Sequence, residues 1–97
     1  MASVTIRWEN GKGAVIPTSI SVSRGQNVDF TAEGSGVKIT FPDRAIIGAL
    51  ELYVAEGKTE SRTIRLDAPL GTHSCPTYCD KDVGDAPTTP PVEMSIG

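Results

Sequence analysis

The chain has 97 residues, room for one domain spanning 1–97 and too few for two. Its net charge of −3 comes from interspersed acidic and basic residues, so no basic stripe is present to follow phosphates, which argues against a nucleic-acid partner. No run approaches the roughly 20 apolar residues of a membrane helix, and MASVTIRWEN has no basic segment leading into an apolar one, so no membrane insertion by this segment is expected.

Alternating apolar and polar residues, the mark of a half-buried strand, recur along the chain. Val4, Ile6 and Trp8 open it and stop at the turn signal Asn10-Gly11. Ile20 and Val22 follow Pro17, and Arg24-Gly25 turns the chain into Val28, Phe30 and Ala32, a pair that reads as a hairpin. After Glu33-Gly34-Ser35-Gly36 come Val37, Ile39 and Phe41, ended by Pro42-Asp43. The stretch 44–57 fits two templates. Ile46, Ile47, Leu50 and Val54 share a helical face with Asp43 as N-cap, whereas Leu50, Leu52 and Val54 fit a strand, and Gly48 tips the balance toward the strand. Ile64 and Leu66 mark a later strand, and Val92, Met94 and Ile96 the last. The fold class is therefore all-β, a two-sheet antiparallel Greek-key sandwich of about seven to eight strands, with at most one short helix within 44–57.

Chemistry-bearing residues converge in GTHSCPTYCDKD, residues 71–82. His73, the sole histidine, lies two residues before Cys75, which on a strand puts both on one side. Imidazole and thiolate suit copper or zinc, and Cys79, Asp80, Asp82 and Met94 are the residues that could complete such a set. The plainer reading makes Cys75 and Cys79 a small disulfide, or two ordinary thiols, with His73 on the surface. The acidic run from Asp80 to Asp85 lacks the order of an EF-hand loop, and no Ser-His-Asp context or phosphate-binding glycine pattern is present, so no enzyme is expected.

The order of these elements resembles the cupredoxins, the copper-binding β-sandwiches that carry electrons. PTSISVSRGQNVDFTAEGSG is similar to that family's strand, glycine turn and strand; TESRTIRLDAPLGTHS to the approach to its copper loop; VEMSIG to its final strand. The ligands do not follow. The resemblance places the family's first histidine at Val37 and its cysteine at Thr77, between Cys75 and Cys79, whereas a blue-copper site needs two histidines and a cysteine. The spacing of Cys75 and Cys79 matches the binuclear copper domain of cytochrome oxidase subunit II, but that loop's histidine and methionine fall on Val83 and Ala86.

These observations lead to the expectation of a non-catalytic cupredoxin-like binding or interaction module with no cofactor, its Cys75 and Cys79 paired as a local disulfide. Its partner would be another protein or the rest of a larger chain, and pairing would favour a periplasmic or extracellular setting. The alternative is a copper- or zinc-binding domain, an electron carrier in one form, built on His73, Cys75 and Cys79 with Asp80, Asp82 or Met94.

Overall fold

The structure, a computed structural model, describes residues 2–82 and 89–97. Among these residues there are ten strands and no helix: β1 Ala2–Glu9, β2 Lys12–Ile16, β3 Ser19–Val22, β4 Asn27–Glu33, β5 Val37–Thr40, β6 Glu51–Val54, β7 Thr59–Thr63, β8 Gly71–Cys75, β9 Thr77–Cys79 and β10 Val92–Ile96. The period-two reading holds where apolar residues were dense. β4 buries Val28, Phe30 and Ala32, and β10 buries Val92, Met94 and Ile96, while the intervening residues face outward. Asn10 and Gly11, at φ 56° and 77°, make the left-handed two-residue turn that suits the twist of a hairpin, and Glu9 pairs with Lys12 across it.

One layer is a four-stranded sheet in the order β2-β1-β4-β7. The other strands form two three-stranded ladders, β3-β10-β8 and β6-β5-β9. These ladders are joined by one chain run, 71–79, interrupted only at Pro76, whose carbonyl accepts the Thr40 N–H at 2.8 Å. The pairing is mixed rather than wholly antiparallel, because β1 runs parallel to β4 and β10 parallel to β3. Apart from the β1–β2 and β5–β6 hairpins, strands that meet side by side come from distant parts of the chain, as β1 beside β4 and β3 beside β10 show.

That crossing corrects the expected hairpin at Arg24-Gly25. β3 pairs with β10 and β4 with β1 and β7, so the turn carries the chain from one layer to the other. The Gly25 N–H is satisfied by the Ile64 carbonyl at 2.7 Å, and Arg24 Nε donates to the Ala68 carbonyl at 2.8 Å. The late strand also shifts. β7 ends at Thr63, Ile64 is buried just beyond it, and Leu66 is 78% exposed on the loop.

Within 44–57 both templates are realised in part. Asp43 Oδ1 accepts the Ala45 N–H at 2.7 Å and the Arg44 carbonyl accepts the Gly48 N–H at 2.8 Å, which closes a single turn that buries Ile46. The chain then extends as β6 with Leu52 and Val54 inward and Leu50 outward. Side chains from both layers form one buried cluster. Phe30 of β4 meets Phe41, just past β5, edge to face at 6.2 Å between ring centroids and 81° between planes.

Candidate functional site

The run 71–79 keeps one parity through the Pro76 break, so Cys75, Thr77 and Cys79 all point into the core. Cys75 pairs with Val92 on β10, and Cys79 pairs with Val37 on β5. Both cysteines are free thiols, which overturns the expected disulfide. The reason lies in the backbone. Four residue steps of extended chain span about 13 Å, roughly twice the Cα separation a disulfide tolerates, and ladder bonds on either side of Pro76 hold the run extended.

The remaining candidate residues are distributed over separate places. His73 is half-buried on β8 directly opposite Met94, and its Nε2 is 2.8 Å from the Pro69 carbonyl oxygen, so that nitrogen carries the proton and donates it. Asp80 faces away from the core, where its Oδ2 accepts the Tyr53 hydroxyl at 2.5 Å, and this bond is the main cause of a phenol pKa above the ordinary 10.0. Asp82 turns back to the start of its own loop, its Oδ2 accepting the Cys79 N–H at 2.8 Å. Among the described residues no three His, Cys, Asp or Glu side chains are grouped so as to hold a metal ion. Val83 and Ala86, the positions of the binuclear loop's missing ligands, lie outside the described residues.

One cluster does form, around Cys79. Its sulfur is 3.3 Å from Thr89 Oγ1, and the same hydroxyl is 2.9 Å from Asp82 Oδ2. The Thr89 hydroxyl is within donating reach of both the sulfur and the carboxylate, and its single proton is shared between these two acceptors. Burial pushes the Cys79 pKa up; the Thr89 contact works against this, and the carboxylates of Asp82 and Asp80 add to it. Cys75 is pushed up to about 11, chiefly by burial and secondarily by the Glu93 carboxylate. Both shifts favour the protonated thiol in the metal-free protein, the form that does not attack disulfides.

Thr89 was invisible in the sequence, being one threonine among several in a Pro/Thr-rich stretch. Ligands of one metal must converge, and the residue that shares a cross-strand position with Val37 is Cys79, whereas Thr77 pairs with Ile39. With the geometry so placed, the donor set does not fit blue copper. Val37, where the resemblance places the first histidine, is a buried aliphatic residue, the loop side supplies a carboxylate and a hydroxyl, and the sole imidazole of the chain bonds to the Pro69 carbonyl.

No family model and no curated protein matches the sequence. Solved structures do. A purple cupredoxin from Nitrosopumilus maritimus aligns over the whole of both chains at 15% identity with a TM-score of 0.67. Oxidised plastocyanin from Dryopteris crassirhizoma aligns over 99% of this chain and 100% of its own, at 21% identity and a TM-score of 0.64. The reduced Cu(I) form of an amicyanin point mutant covers 100% of this chain and 84% of its own, at 13% identity and a TM-score of 0.58. The architecture is that of the copper-binding β-sandwich proteins. The chain has the cupredoxin fold.

Proposed function

We propose that this domain is a non-catalytic cupredoxin-fold binding module whose copper-carrying function is absent. The observation that carries the reading is the pairing of Val37 with Cys79: the one thiol placed at the end of the β5–β9 ladder faces an aliphatic side chain, and no imidazole accompanies it among the described residues. A protein or another part of a longer chain is the partner class this leaves, since no phosphate-binding stripe or catalytic constellation is present among the described residues. The compartment argument that rested on paired cysteines no longer applies, because both are free.

Addition of Cu(II), and of Cu(I) under reductant, to the purified protein is the test. The reading expects no intense thiolate-to-copper absorption in the visible and no stoichiometric uptake by elemental analysis. One tightly held copper per chain, lost when Cys79 is replaced by serine, would sink it. The second reading, a copper or zinc site on Cys79, draws support from the sulfur and carboxylate meeting at one hydroxyl, and from a fold shared with copper proteins. It makes the opposite prediction in the same titration.

A further inference from the structure

We infer that Cys79, Thr89 and Asp82 form a metal-free clasp that closes this end of the sandwich, with Thr89 as the stopper over the Cys79 sulfur. The inference rests on the reading that the thiol is not a metal ligand, and it adds what the residues do instead.

Three independent observations point to the stopper. First, the bonds close on themselves. Asp82 accepts from the Cys79 N–H at 2.8 Å and from the Thr89 hydroxyl at 2.9 Å, and the Asp82 N–H returns to the Cys79 carbonyl at 2.9 Å. Thr89 is thereby tied to β9 across a sequence separation of ten residues from Cys79. Second, the space is shaped to it. Gly13 of β2 lies against Thr89, and a Cβ on Gly13 would run into the Thr89 hydroxyl and Cβ, so the facing strand accommodates this side chain only by having none of its own. Third, Thr89 stands between solvent and sulfur. It lines a shallow surface depression of about 230 Å³ together with Ser74, Pro76, Thr77, Tyr78 and Pro91, while its hydroxyl touches Cys79, which is itself buried. The side chain that covers the thiol also donates to Asp82, so one hydroxyl serves both contacts.

The consequence is a thiol whose exposure reports one local contact rather than global unfolding. Alkylation proceeds from the opened form, and its rate follows the population of that form when closing is fast. Site-resolved pulse alkylation of the metal-free protein with iodoacetamide, read by peptide mass spectrometry, measures Cys79 and Cys75 separately in one sample. Thr89→Val keeps the volume and removes the hydroxyl. Losing a bond to a carboxylate should raise the Cys79 rate about tenfold, while Cys75 stays slow and Thr89→Ser stays near the parent rate. A Cys79 rate unchanged in both Thr89→Val and Thr89→Ala, with the far-ultraviolet dichroism intact, would overturn the clasp, and so would Cys75 and Cys79 rising in equal proportion. The same pulse after incubation with Zn(II) or Cu(I) separates this failure from failure of the parent reading. Metal protection of Cys79 in the unaltered protein removes the metal-free reading itself, whereas rates insensitive to Thr89 without metal protection remove only the clasp.

Discussion

Replacing Cys75 with alanine should change how the protein's stability responds to alkali, and the size of the change follows from where the sulfur sits. Cys75 is fully buried opposite Val92, and its pKa rises from 9.0 to about 11, mainly through burial and secondarily through the Glu93 carboxylate. A folded-state pKa above the unfolded value means that the unfolded chain loses its proton first as pH rises. The stabilisation is therefore complete below pH 9 and is lost progressively as pH climbs toward about 11. Since a tenfold change in proton affinity corresponds to about 1.4 kcal/mol, the total is on the order of 2–3 kcal/mol. At neutral pH the Cys75→Ala protein should be less stable by about 1–2 kcal/mol, from lost packing at a site without free space. That deficit should shrink and then reverse across the alkaline window, because alanine has no proton to lose. Urea unfolding of the two proteins at a series of pH values measures the difference directly. Other alkaline titrations, including those of Tyr53 and Cys79, are common to both proteins and cancel in it. Two curves that stay parallel from neutral pH to the top of the window would refute the argument that burial holds this thiol protonated.

Two further outcomes test the packing and the outward face. Phe30→Ala removes one partner of the edge-to-face contact that joins β4 to the segment after β5, and should cost about 3–5 kcal/mol in urea unfolding; a loss below about 1 kcal/mol would mean that the contact does not join the layers. Spectrophotometric titration should show one phenol ionising above the ordinary tyrosine value, absent in Tyr53→Phe and moved back down in Asp80→Asn, because the Asp80 carboxylate accepts the Tyr53 hydroxyl; a Tyr53 titration unmoved by Asp80→Asn contradicts that cause.

Which face a residue takes was legible in the sequence, and which strand it sits beside was not. Val4 and Ile6, Val28, Phe30 and Ala32, Val37 and Ile39, and Val92, Met94 and Ile96 are buried as their alternation implied. Alternation carries no information about neighbours, however. The turn at Arg24-Gly25 would serve a hairpin as well as it serves the crossing between layers that it makes. β7, Thr59–Thr63, escaped notice because it has no large apolar residue, and it is a strand because β4 offers it a ladder: Thr31 and Thr59 share a hydrogen bond, and Ser61 donates to Asp29. β8 and β9 are short and have no run of alternating apolar residues, and the proline between them interrupts the ladder without ending the extended run.

The cysteines show the same limit at the site. Residues 75, 77 and 79 share one parity and are all buried, so counting along the chain cannot say which of them lies beside position 37; the register of β5 against β9 does. That register also shows how this end of the fold is packed. Val37 is 1% exposed and packs in the common core, a side chain that needs no polar partner there, where an imidazole would need one. The loop side is closed equally well by a carboxylate that accepts two protons from the chain's own groups. Neither arrangement leaves a buried polar side-chain atom without a partner among the described residues. The apolar core thus closes through Phe30, Phe41 and Val37, and what it asks of the end that carries Cys79 is that the hydrogen bonds there be satisfied.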